Sequence, residues 1–292
     1  MKFKFLFIYL VTLFTSNIYA GGGWTNKKGT AYIKVSGWWV ESKNFFSGNG
    51  GESRSNVESG LFNVNIYAEY GLTDKLTAIG YIPFFTRSYQ NREVNQNGDV
   101  NTELPGGSLN TFGDSEIGLK YNIYKNDRFS ISTSLTLGIP FGNDGENQEV
   151  SALATGDGEF NQIARVDIGA SLFQNDLLSI YGNAYFGYNN RTKGFSDELR
   201  GGAEIGVGLI DKKLWFIGKL DIIESTRNGD ANSDGNNTSV FANNAEVVNI
   251  GLEASYYITK KIGVSANITN PISGVSGFDS PSYSGGIFFD LK

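Results

Sequence analysis

The chain has 292 residues and a net charge of −6, with 38 Gly, 15 Tyr and 21 Phe against a single Met, and it contains neither Cys nor His. That excludes disulfides, thiolate nucleophiles, Cys/His zinc sites and any catalysis through an imidazole base. Gly and aromatic enrichment suits many short strands joined by tight turns, and the acidic charge argues against nucleic acid as a partner.

Residues 1–20 read as a secretory signal. Lys2 and Lys4 precede an apolar run over 5–14, and small Ala20 stands at the expected cut. The run is too short to cross a bilayer as a helix. Cleavage near Ala20 leaves residues 21–292 as one domain, with 22 bases against 30 acids once Lys2 and Lys4 are gone.

A period-two pattern then recurs along the chain. Trp39 falls on one face of the first segment and Trp38 on the other. Phe62, Val64, Ile66, Ala68 and Tyr70 oppose Asn63, Asn65, Tyr67 and Glu69. In the next segment Tyr81, Pro83 and Phe85 share parity with Thr77 and Arg87. Phe129, Ile131, Leu135, Leu137, Ile139 and Phe141 alternate with Arg128, Ser130, Ser132, Ser134 and Thr136. Val166, Ile168 and Ala170 oppose Arg165, Asp167 and Ser171, and Ala203, Ile205, Val207 and Leu209 oppose Arg200 and Glu204. Val248, Ile250, Leu252, Ala254 and Tyr256 oppose Glu253 and its neighbours, and Ile262, Val264, Ala266 and Ile268 close the series.

Alternation alone fits a soluble sandwich or a membrane barrel with lipid outside and a polar lumen. The connections decide between them. Short turns at 71–75, 125–127, 174–176, 211–213 and 259–261 alternate with long polar loops near 44–58, 88–111, 142–159, 190–197, 225–240 and 271–281. Five turns and six loops predict an all-β, up-and-down antiparallel transmembrane β-barrel of about 12 strands. Its short turns would face the periplasm and its long loops the exterior. Outward Tyr70, Phe129, Phe216 and Tyr256 beside the turns, and Trp39, Phe84, Phe141 and Tyr188 toward the loops, read as two interfacial girdles.

Three motifs carry a resemblance. They are Gly-Asp-Ser-Glu-Ile-Gly-Leu-Lys-Tyr at 113–121, Tyr-Gly-Leu-Thr-Asp-Lys-Leu at 70–76, and Gly-Ile-Pro-Phe-Gly at 138–142, where Phe141 replaces the usual Thr. With these the chain resembles the outer-membrane β-barrel family assigned to the meta-pathway of phenol degradation. The resemblance implies movement of small hydrophobic or aromatic compounds across the outer membrane of a Gram-negative bacterium. It brings no catalytic residues.

By alternation Lys120, Arg128, Arg165, Asp167, Arg200, Glu204 and Glu253 point into the lumen, as candidate pore-lining groups or as paired charges that fill it. Trp38, Tyr81, Phe85 and Trp215 are the candidate apolar lining for a hydrophobic solute. In the 228–241 loop Asp230, Asn232, Asp234 and Asn236 match the first half of a calcium loop, but Phe241 stands where the bidentate Glu belongs. That predicts a weak calcium site or a solvated polar loop, and no other cofactor is expected. The sequence points to a passive channel for small, hydrophobic or aromatic molecules, with lipid and solute as partners. The alternative is a non-transporting structural, adhesive or receptor barrel acting through its loops. An enzyme is not expected.

Overall fold

The computed structural model describes residues 22–91, 93–97, 100–104, 106–145, 153–230 and 241–292. Twelve strands close into an antiparallel barrel: β1 (Ala31–Phe46), β2 (Glu52–Gly71), β3 (Leu76–Gln90), β4 (Ser115–Lys125), β5 (Phe129–Ile139), β6 (Asn161–Gln174), β7 (Ser179–Arg191), β8 (Glu198–Leu209), β9 (Leu214–Ser225), β10 (Glu246–Tyr257), β11 (Ile262–Val275) and β12 (Ser282–Leu291). Each strand pairs with its sequence neighbours, and β1 closes the ring on β12 from Ala31↔Leu291 to Val40↔Ser282. Among the described residues every regular element is a strand.

Burial is inverted relative to a water-soluble core. The largest fully buried side chains are polar, among them Asn189, Thr77, Asp167, Ser130 and Ser132. Leu135, Ile168, Ile205, Ile250 and Leu252 are exposed on the outer face. Apolar surface on this scale around a closed barrel is satisfied by lipid, not by water. All eight residues assigned to the two girdles are exposed, and Trp39 stacks on Tyr283 with ring centroids 5.5 Å apart.

Four of the five short turns share one device. A side-chain oxygen at the turn's start accepts the backbone N–H groups two and three residues on, which tightens the chain without a glycine. Thr73 takes Lys75 and Leu76; Asn126 takes Arg128 and Phe129. Asn175 takes Leu177 and Leu178; Thr259 takes Lys261 and Ile262. The fifth turn instead holds Ile210, Asp211 and Lys212 in the left-handed region, at φ 53°, 51° and 64°.

At the opposite end strands extend where loops are expected. β1 and β2 continue through most of 44–58 and turn only at 47–51, and β11 runs on to Val275. Short strands Glu93–Asn97 and Val100–Leu104 pair with each other, while Gly107–Thr111 pairs with β3 and Gly277–Phe278 with β1. Above the bilayer both faces of a strand are wet. Hydropathy contrast therefore vanishes there although the ladder persists.

A bulge in β3 corrects one assignment. Val64 pairs with Phe85 and Ile66 with Ile82, so Pro83 and Phe84 together oppose Asn65. The extra residue reverses the parity of everything beyond it. Phe85 consequently lies on the outer face, 38% exposed and edge-on to Phe62, and is not pore-lining. Arg128 is also corrected. It sits exposed in the 125–129 turn, where the Asn126 side chain holds its backbone N–H, and does not enter the lumen.

Candidate functional site

The lumen begins with a segment that has no strand parity. Residues 22–26 fold inside the barrel from the short-turn end. The Gly23 carbonyl accepts the hydroxyls of Ser130 and Ser132, each at 2.6 Å, from the inner face of β5. The Asn26 N–H donates to Thr77 Oγ1 at 2.9 Å, and its side chain donates to Glu69 at 3.2 Å. The Trp24 ring lies against Gly169, where a Cβ would come within 2.4 Å of it. Only glycine at 169 leaves room for that indole.

Beside this segment is a cavity of about 1120 Å³ that opens among the short turns. Its wall combines aromatic rings with a larger number of charged side chains. Trp24, Tyr181 and Trp215 form one run, with centroids 6.3 and 5.6 Å apart. Tyr67, Tyr32, Phe288 and Tyr257 form another, at 6.4, 5.8 and 4.9 Å. Three of the wall's tyrosine hydroxyls are committed to carboxylates: Tyr67 donates to Glu69, Tyr185 to Asp221 at 2.8 Å and Tyr257 to Asp290 at 2.9 Å. The cations deep in the wall are committed as well. Lys219 and Lys34 share Glu253 at 2.7 and 3.7 Å, and Lys120 meets Glu69 at 3.6 Å. Arg165 Nε binds Asp167 at 2.8 Å, while its guanidinium lies 3.7 Å from the Tyr185 ring centroid. Beside these pairs, the ring faces of the two aromatic runs offer a solute apolar, stacking chemistry.

Of the sequence candidates, Tyr81, Arg165, Asp167, Glu204, Trp215 and Glu253 line this cavity. Lys120 is buried against Glu69 beside it. Arg200 points inward nearer the long loops and binds Glu198 at 2.9 Å through Nε. Trp38 is inward too, but packs against an apolar cluster of Val40, Phe45, Leu61 and Phe278, with Phe241, at the long-loop end. Of the calcium-loop candidates only Asp230 is described, and its N–H donates to the Gly194 carbonyl; Asn232, Asp234 and Asn236 lie outside the described residues. Among the described residues no group of three or more carboxylates could hold a metal ion.

Sequence reasoning missed Trp24, Tyr32, Lys34, Tyr181, Tyr257, Phe288 and Asp290. Tyr32 and Lys34 share parity with Trp38 and were readable from it. Trp24 lies outside any strand, so no alternation pointed to it.

A second polar network ties the long-loop end together. Arg191 bridges Asp157 at 2.9 Å and Glu198 at 3.0 Å, and Glu159 accepts the N–H groups of Lys193 and Phe195. Asp114 accepts the Gly142 N–H at 2.9 Å and the Asp157 N–H at 2.7 Å. Burial, then the adjacent Asp157 carboxylate, pushes the Asp114 carboxyl up from 3.8 to about 7. A carboxyl raised on folding favours the fold in its protonated form, so this contribution is present below 3.8 and lost as the pH rises to about 7. Amide protection at Gly142 and Asp157, corrected for intrinsic exchange, is expected to fall as the pH rises through that window. Asp114→Asn should flatten the dependence; equal slopes in the two proteins contradict this assignment.

No protein-family model and no curated protein matches the chain. An outer membrane channel from Pseudomonas putida F1, a solved structure, superposes with a TM-score of 0.57 at 15% identity, covering 94% of this chain and 99% of that one. The KdgM porin gives 0.48 at 11% identity over 89% of this chain and 99% of that one. LpxR from Salmonella typhimurium gives 0.48 at 9% over 89% and 100%. The first of these shares the fold with this chain.

Proposed function

We propose that the protein is an outer-membrane channel that admits small, uncharged aromatic or hydrophobic solutes by passive diffusion. The observation that carries this is the two runs of aromatic rings in the cavity wall, three of whose tyrosine hydroxyls are already bonded to carboxylates. Such rings give affinity through apolar contact and stacking, and the wall cations Lys34, Lys120, Lys219 and Arg165 are already paired with carboxylates. The residues behind the phenol-pathway resemblance support the same solute class. The fold shared with a protein described as an outer membrane channel supports the transport half of the reading. Export by the 1–20 signal, with cleavage near Ala20, and residence in a Gram-negative outer membrane belong to the same proposal.

One observation favours the alternative of a closed, non-transporting barrel. Residues 22–26 occupy part of the lumen, and the apolar cluster around Trp38 sits at the other mouth. Binding separates the two readings. Trp24 and Trp215 line the cavity, so their fluorescence reports its occupancy. A cresol should quench emission saturably. Tyr32→Ser together with Tyr181→Ser should weaken binding about tenfold, since each aromatic contact is worth about 0.5–1.5 kcal/mol. Phe85→Ser, on the outer face, should change nothing. No saturable quenching, or an equal loss with Phe85→Ser, contradicts the channel's proposed solute site.

A further inference from the structure

The barrel sorts its charges by level. The short-turn rim (27–28, 72–75, 125–128, 175–178, 210–213, 258–261 and 290–292) carries ten Lys and Arg against five Asp. The described residues at the other end (within 41–58, 87–114, 140–160, 191–198, 224–246 and 275–282) carry fifteen acids against six bases. Between them the wall holds five bases and six acids, among which Lys34 and Lys219 pair with Glu253, Lys120 with Glu69 and Arg165 with Asp167. Lys213 and Lys260 of the rim stand at the opening of the cavity itself. A basic exit and an acidic mouth thus bracket a nearly neutral passage.

Fixed charge recruits mobile counter-ions. The acidic mouth gathers cations and the basic rim gathers anions. A field directed from the long-loop end to the rim drives both ion types inward, where they meet and raise the conductivity of the wall region. The opposite field pulls both outward and depletes that region.

We propose that the protein conducts ions asymmetrically, passing more current when the long-loop side is positive than when the rim side is. This rests on the channel reading above. It adds a direction to the passage, set by Lys213, Lys260 and Lys261 with their rim neighbours on one side and the acidic loops on the other. Screening limits the effect. The Debye length is about 10 Å at 0.1 M salt, comparable to a barrel's radius, but about 3 Å at 1 M.

The test is single-channel current in planar bilayers of potassium chloride, with orientation assigned by cutting a protease site placed in the 226–245 connection. At about 0.1 M the current with the long-loop side positive should exceed the reverse current by about twofold or more, and the ratio should approach one at about 1 M. The exposed triple variant Lys213→Gln, Lys260→Gln, Lys261→Gln should bring the low-salt ratio toward one without altering the fold. Linear current at low salt overturns the proposal and leaves the channel standing. So does asymmetry of the opposite sign, or asymmetry that survives high salt or the triple variant. Absence of current through both the wild type and a variant lacking residues 22–26 overturns the channel reading, and this inference with it.

Discussion

Ile168→Arg and Ile250→Arg are each expected to lower folding stability in bilayers by about 2–4 kcal/mol, the cost of a guanidinium at mid-membrane on a barrel's lipid face. Both side chains are exposed on the outer surface near the middle of their strands, Ile168 between Ile131 of β5 and Ala184 of β7. Ile258→Arg is the depth control. Ile258 is also exposed and apolar but lies at a short turn, where the cost falls to about 0–1 kcal/mol. Reversible unfolding in lipid vesicles measures all three. Equal costs at the three positions contradict a membrane-facing exterior, because a surface in water has no depth.

Arg191→Met is expected to cost about 3–5 kcal/mol, the range for removing one partner from a buried ionic cluster. Arg191 is 3% exposed at its side chain and lies between Asp157 and Glu198, with its guanidinium 4.5 Å from the centroid of the Phe195 ring. Its backbone N–H is held by Asp197. Methionine conserves much of the volume but leaves Asp157 without its cation and Glu198 with Arg200 alone. Adding Asp157→Asn to Arg191→Met should recover a large part of the loss in the same unfolding measurement. A double variant as unstable as the sum of the two single changes contradicts an ionic origin.

The barrel was legible because one side-chain period ran through nearly every strand, and because Thr73, Asn126, Asn175 and Thr259 marked the turns. Lumen facing was legible wherever that period was unbroken, as for Arg165, Asp167, Glu204 and Glu253. It failed where the ladder gained a residue. Pro83 and Phe84 share one partner position, so Phe85 changed sides although its spacing from Tyr81 was even. It also failed at Arg128, where the Asn126 turn absorbed a residue that parity alone would send inward. Residues 44–58 were polar on both faces, which reads as loop, yet they continue β1 and β2 because water on both sides removes the apolar signal and not the hydrogen bonds. Trp24 was beyond reach for another reason. Its position depends on Gly169, Ser130 and Ser132, more than a hundred residues away, and a period cannot register contacts at that separation.

The central claim is that the aromatic lumen is a route for uncharged aromatic solutes. Its most direct test is uptake of a labelled cresol by cells whose lipopolysaccharide-faced outer membrane carries the protein, against cells without it and against a sugar of similar size. The account predicts several-fold faster cresol uptake that depends on the protein, unchanged sugar entry, and loss of the cresol advantage in the Tyr32→Ser, Tyr181→Ser variant. Cresol uptake unaffected by the folded barrel, or cresol and sugar accelerated equally, would contradict it.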